Sequence, residues 1–414
     1  MYESRKDRRF LGFIGNFLEH YDNALFGLIA PFIAPLLYPN ESASKALIWT
    51  YAIMALGILS RPLGALFFGW MGDKYGCNLA LFYSLFAMAF TSMAMGFIPL
   101  GQKWIIAPSL LFALGKMIQN FCAAGETSGG AIYVLERTET NKKGFLSSLY
   151  DSSSLAGILF ASTLVTFLSS KDRLLDSWRY LYWIGGLTAI IGVYLRFIDN
   201  FKLPANSLKP SIRHNWITTL IAHRSSFLKI VLVSGFSYTT YAFGFTLMNG
   251  YIPLVTNFSK QQVIQINTAL LLVDMLLLPC FGYLASKVGK GQVMFYGALF
   301  STLSALPLFL LFSGASKPLI ALIRLGLVVP GIAFAAPYYA WALENIPKEH
   351  RYLILSFGSA VGSQLIGSTS ASISLWFYDQ TGWIGAPALY LIAIGIAACW
   401  QTIPFSRPKL ITTS

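Results

Sequence analysis

Residues 116–143 read KMIQNFCAAGETSGGAIYVLERTETNKK, and residues 324–351 read RLGLVVPGIAFAAPYYAWALENIPKEHR. Each stretch sets a base inside an apolar run (Lys116, Arg324), an acid at its close (Glu136, Glu344) and a base opening the next run (Lys143, Arg351), all shifted by one common interval. Charges inside segments this apolar are too costly to recur by accident, so the match marks an internal duplication. A second echo agrees: Gly69-x-x-Gly72-Asp73-Lys74-x-Gly76 returns, weakened, as Gly282-x-x-Ala285-Ser286-Lys287-x-Gly289. Two membrane halves of one ancestry point to a transporter with its substrate site between them.

The composition requires the bilayer. With 55% hydrophobic and only 11% charged residues, a chain of this length could not hide its apolar surface from water. Apolar stretches long enough to cross at about 20 residues per helix are read at 10–38, 46–71, 79–99, 104–135, 144–169, 179–198, 227–256, 263–286, 291–313, 318–343, 352–377 and 384–404. The expected fold is therefore an all-α polytopic membrane protein of twelve transmembrane helices, six in each half. The polar connector from Asp199 to Ser226, with Pro204, Pro210 and several bases, separates an N-terminal six-helix half (1–198) from a C-terminal one (227–414), with 199–226 as a cytoplasmic linker. The remaining loops are short, so any chemistry is expected inside the bundle.

The net charge of +13 is explained by topology. Alternate loops hold most of the bases, from Arg5, Lys6, Arg8 and Arg9 through Lys142, Lys143 and Lys290 to Arg407 and Lys409; the opposite loops hold few, among them Lys45, Lys103 and Lys317. This asymmetry places both termini in the cytoplasm and leaves no basic face for nucleic acid. Cys77, Cys122, Cys280 and Cys399 show no paired spacing, so neither disulfide nor metal site is expected. The basic N-terminus before an apolar run resembles a secretory signal, but that run is too long, carries Glu19 and Asp22, and lacks a small-residue cleavage site; it reads as the first span.

The segment Gly64-Ala-Leu-Phe-Phe-Gly69-Trp-Met-Gly72-Asp73-Lys74-Tyr-Gly76 resembles the loop signature of the major facilitator superfamily. Within it, Gly15-Asn16-Phe-Leu-Glu19-His20-Tyr21-Asp22, Arg61-Pro62-Leu-Gly64, and Ala124-Gly125-Glu126 with Tyr133, Glu136 and Lys143-Gly144 resemble the metabolite:proton symporters. That group includes bacterial carriers for proline and betaine, 2-oxoglutarate, citrate, dicarboxylates and shikimate. The resemblance is dense over the first half and loose over the second. His20 stands where an aromatic is usual, Lys116-Met-Ile-Gln119-Asn120 replaces Arg-x-x-Gln-Gly, and Ser286 replaces an acid. The resemblance implies two pseudo-symmetric halves that rock in alternating access, in the inner membrane of a bacterium. It also implies that Asp73 faces the start of span eleven near Arg351.

Each charge inside a span needs a partner or a function. Glu19 and Asp22, three apart on one helix face, are proton-coupling candidates because neighbouring carboxylates disfavour joint ionisation; Glu126 is a third. His20 is expected to point away from that face. Lys116 and Asn120 share a polar stripe with Ala123 and Thr127 and are substrate candidates, since a cation in a wet cavity receives a carboxylate. Arg324, its counterpart, and the aromatics Tyr241 and Trp341, which suit a substrate ammonium, join them. Arg61 and Asp274 occupy corresponding depths and are read as structural charges in pairs, with Arg324 a further partner for Asp274. Asp73, Lys74, Arg351 and Asp151 are assigned to the cytoplasmic gate.

Rival functions fit less well. A drug antiporter lacks its repeated glycines in span five, a sugar facilitator would carry an acid motif after span six, and a polytopic enzyme needs a paired acid and histidine that His214, His223 and His350 do not offer. A membrane receptor has no signalling domain to use. The reading is a secondary active transporter, not an enzyme: proton symport of a small polar metabolite, either a zwitterion such as proline or betaine or an organic carboxylate. The alternative is a proton-independent facilitator or exchanger of organic acids. Its partners are expected to be the substrate, protons and the lipid bilayer, with no cofactor, no nucleic acid and a monomeric state.

Overall fold

Helix after helix follows from the apolar runs. The computed structural model describes residues 9–41, 46, 49–50, 53, 57–100, 107–169, 173–201, 216–258 and 260–403. In chain order the long helices of the first half are α1 (Phe10–Leu37), α2 (Gly57–Tyr75), α3 (Cys77–Gly96), α4 (Ala107–Glu136), α5 (Lys143–Ser169) and α6 (Leu174–Phe201). The second half holds α7 (Arg224–Val255), α8 (Lys260–Val288), α9 (Lys290–Leu310), α10 (Lys317–Asn345), α11 (351–381) and α12 (Ala386–Thr402). A short helix, Trp216–Ala222, precedes α7. The middle of the expected linker and both chain ends lie outside the described residues.

Six of these helices are long and apolar enough to cross a membrane by composition alone. The others include α1 and α4, which carry Glu19, Asp22, Lys116 and Glu126 inward, and α12, which has 17 residues. Polarity that faces the interior lowers the hydropathy of a span without exposing charge to lipid. Outward-facing Phe90, Leu303, Ile396 and Trp400 are each at least 60% exposed, a surface suited to acyl chains and not to water.

The duplication is visible in the packing. In the first half α1 packs on α5, α3 on α6 and on α4, and α2 on α4; in the second, α7 packs on α11, α9 on α12 and on α10, and α8 on α10. The halves meet through α2 against α11 and α5 against α8, again a symmetric pair of contacts. Gly76 (φ 99°) and Gly289 (φ 125°) hold equivalent left-handed turns, where a side chain would be strained. Departures from regularity also repeat within the second half: α7 carries a π turn at Ala242–Thr246 and α11 one at Ser363–Gly367.

Candidate functional site

Between the halves lies a cavity of about 410 Å³, walled by α1, α2, α4, α5, α7, α8 and α10. Its first-half wall is a hydrogen-bonded set around Glu19, which is fully buried. The Glu19 carboxylate lies 2.8 Å from His20 Nδ1 and accepts from Asn23 at 2.6 Å and Thr127 at 3.1 Å. Arg61 stands 4.0 Å from Glu19 and donates to Thr127 at 3.2 Å. His20 therefore folds back onto Glu19 and lines the cavity, against the expectation that it points away; the buried acid captures the ring that helical spacing alone would send elsewhere.

Lys116 and Asn120 also line the cavity. Lys116 donates to Gln119 at 3.0 Å, Gln119 to Ser92 at 2.8 Å, and Ser92 to Asp22 at 2.5 Å. Asp22 lies at the inner end of this chain, among α3, α4 and α6, with one oxygen lacking a hydrogen-bond partner. Glu19 and Asp22 thus share a helix but not an environment: one faces the cavity, the other the interior of the half. Glu126, also fully buried, accepts from Ser84 at 3.3 Å and is not part of the cavity wall.

The second-half wall is aromatic. Tyr238 and Tyr241 of α7 and Tyr338 and Tyr339 of α10 face the cavity. Trp341 does not: it belongs to the apolar core, beside Gly291 of α9. The helical path of α10 is interrupted at Ala336 and Pro337, so the faces on either side of that break are not continuous. Arg324 is likewise off the cavity. It is fully buried and donates to the carbonyls of Gly244 at 2.8 Å and Val263 at 3.3 Å, and to Asn267. Gly244 belongs to the π turn of α7, where the hydrogen-bond ladder is locally irregular, and the guanidinium is drawn there.

Asp274 lines the cavity on α8, and the expected charge pairing with Arg61 or Arg324 is not formed among the described residues. Each of those bases has nearer acceptors in its own half. Asp151 also lines the cavity, two turns deeper than the gate to which its position early in α5 assigned it. Arg61, Asp151 and Asp274 are cavity-lining charges to which their sequence positions give other duties. The available signal was their presence within apolar spans, which indicates a constraint but not a direction. Among the described residues no three metal-ligating side chains converge.

Of the residues expected at a gate, Asp73, Lys74 and Arg351 lie at the end of the bundle that bears Lys142, Lys143 and Lys348. Asp73 accepts two backbone N–H groups at the start of α11, Tyr352 and Leu353, each at 3.0 Å. Gly69 and Gly72 permit that approach: a Cβ at Gly69 would fall 2.8 Å from Leu353 Cα, and one at Gly72 2.3 Å from the Tyr352 ring. Arg351 reaches Glu136 of the other half at 3.2 Å, and Tyr352 Oη donates to the Gly125 carbonyl at 2.7 Å. Lys74 lies over the Trp70 ring, 4.6 Å from its centroid. At the symmetric position Ser286 accepts from the Phe145 N–H at 3.0 Å, so the neutral counterpart of Asp73 keeps one bond across the halves.

Known proteins agree with this architecture. The model of the Major Facilitator Superfamily matches residues 12–362. The glycine betaine/proline/ectoine/pipecolic acid transporter of Dickeya dadantii is 25% identical over 92% of this chain and 79% of its own length. The proline/betaine transporter of Salmonella typhimurium is 26% identical over 92% and 80%. Among solved structures, a double-tryptophan mutant of XylE superposes with a TM-score of 0.76 at 15% identity, over 98% of this chain and 97% of the other. FucP superposes with a TM-score of 0.71 at 14% identity, over 97% and 99%. With its family model, its relatives and its twelve-helix fold in agreement, the chain belongs to the major facilitator superfamily of membrane transporters, which are not enzymes.

Proposed function

We propose that the chain is a proton-coupled symporter that takes a small zwitterion, proline or betaine in kind, into a bacterial cell by alternating access. One observation carries this reading: the cavity sets the bases Arg61 and Lys116 on its first-half wall and the acids Asp151 and Asp274 on α5 and α8, a distribution that suits a ligand with both charges. The names of the relatives, proline and betaine transporters, support the same class. In this reading the protein sits as a monomer in the inner membrane with both termini in the cytoplasm. Its halves, 1–198 and 227–414, rock about the cavity on the 199–226 linker. The hydrogen-bond chain from Lys116 through Gln119 and Ser92 gives Asp22 a route to the cavity. A proton on the unpartnered oxygen of Asp22 displaces no donor.

The test is uptake of labelled proline, betaine and 2-oxoglutarate into proteoliposomes with an inside-alkaline gradient. Accumulation above the external concentration, abolished by a protonophore, is expected for a zwitterion. Asp22→Asn should lose accumulation and keep counterflow exchange, because exchange need not return an empty, deprotonated carrier. Uptake that only equilibrates, with or without the gradient, would make the protein a facilitator or exchanger.

A further inference from the structure

Asp151 on α5 and Asp274 on α8 meet the cavity from opposite halves. Each stands one residue before a point where the helices touch, the contact of Ser152 Oγ with the Met275 carbonyl at 3.4 Å. Asp274 is only 7% exposed, yet its carboxylate, like that of Asp151, has no hydrogen-bond or ion-pair partner among the described residues. The bases on the cavity lie nearer other groups, Arg61 by Glu19 and Thr127, His20 by Glu19 and Lys116 by Gln119, and among the described residues none is within ion-pair distance of Asp151 or Asp274, although His20 is close enough to attract Asp151. A buried carboxylate without a counter-charge is costly, and that cost falls when a cation enters beside it. Tyr238, Tyr241 and Tyr339 stand on the same cavity. Aromatic faces hold a cation that has no hydrogen to donate, which a lone carboxylate does less selectively.

We propose that Asp151 and Asp274, with the rings of Tyr241 and Tyr339, form a subsite for the ammonium group of the transported molecule, quaternary or secondary, while its carboxylate turns to Arg61. The proposal rests on the zwitterion reading of the cavity and adds the orientation of the ligand within it. Because one acid comes from each half, a single bound ammonium is attracted to both sides of the α5–α8 seam and offsets one of the two negative charges that meet there. Loading is thereby tied to how closely the two halves approach.

The experiment is equilibrium binding to purified protein of glycine betaine, of choline as a cation without a carboxylate, and of succinate as a dianion without an ammonium. Choline should compete with betaine on the unaltered protein. Asp274→Asn and Asp151→Asn should each lower affinity for both by about tenfold or more, Asp274→Glu should recover part of it, and Arg61→Gln should weaken betaine while leaving choline unchanged. Either Asn variant alone decides the matter if the other fails to keep the parental melting temperature. Failure of choline to compete, or folded Asn variants that bind betaine as the parent does, would overturn the subsite. Gradient-driven uptake of dicarboxylates with no choline binding would overturn it too and leave proton symport standing. Choline and betaine binding lost in the Asn variants, without gradient-driven uptake, would support the subsite and remove the symport reading.

Discussion

The Arg61 guanidinium spends one Nη2 hydrogen on Thr127 and stands 4.0 Å from Glu19, which leaves most of its five donors to the cavity. Lys116, only 2% exposed and bound to Gln119, has less to offer a ligand. On the proposed zwitterion reading, Arg61 is therefore the better anchor for a substrate carboxylate, although its sequence position suggests only a structural charge. Replacing it by Gln should weaken proline binding by about 1.5–3 kcal/mol, the usual worth of a hydrogen bond to a charged group. Prolinamide, which lacks the carboxylate, should be affected far less. Isothermal titration of both ligands checks this, and equal losses for the two would reduce Arg61 to a brace for Glu19.

Among the helices, α7 and α10 show where sequence reading stops. Spans, duplicated charges and the glycine signature are legible in the sequence, because each is a pattern along the chain that lipid or close backbone packing enforces. Which face of a span a charge occupies is not. Facing assignments assume about 100° per residue throughout, and a π turn such as Ala242–Thr246 inserts a residue and rotates everything beyond it. Arg324 and Trp341, substrate candidates by their charge and ring chemistry, both lie off the cavity: Arg324 is held by the Gly244 carbonyl in the π turn of α7, and Trp341 packs into the apolar core beyond the break of α10 at Ala336 and Pro337. The role of Arg324 is to fasten α7 and α8 onto α10. Arg324→Gln should strand buried carbonyls at about 1–3 kcal/mol each and lower the melting temperature in detergent. A variant with the parental melting temperature and impaired betaine binding would instead return Arg324 to the ligand site.

For the whole molecule, the hydrogen bonds that tie the halves gather toward one end of the bundle, and the two repeats contribute unequally to them. Asp73 places an anion on two N–H groups at the start of α11, where the helix dipole favours negative charge, and Ser286 places a neutral hydroxyl on one N–H of α5. Asp73→Asn keeps one acceptor but loses the charge and, with an NH2 in place of one oxygen, one of the two N–H bonds, a cost of at least about 1–2 kcal/mol, or roughly five- to thirtyfold in the ratio of closed to open forms at that end. Ser286→Ala removes a single neutral bond worth about 0.5–1.5 kcal/mol, so its shift has the same direction and smaller size. With Ser286 standing where an acid is usual, the sequence alone predicts little effect from Ser286→Ala; the Phe145 bond gives it a measurable one. Spin labels at Lys142→Cys and Glu349→Cys, in protein with Cys77, Cys122, Cys280 and Cys399 replaced, report the separation of the halves at this end. Asp73→Asn should add a longer-distance population larger than that of Ser286→Ala, and the parent should show least of it. Identical distributions in all three would mean that this end is held by the packing of Tyr352 and Leu353 against Gly72 and Gly69, with Asp73 serving only to start α11.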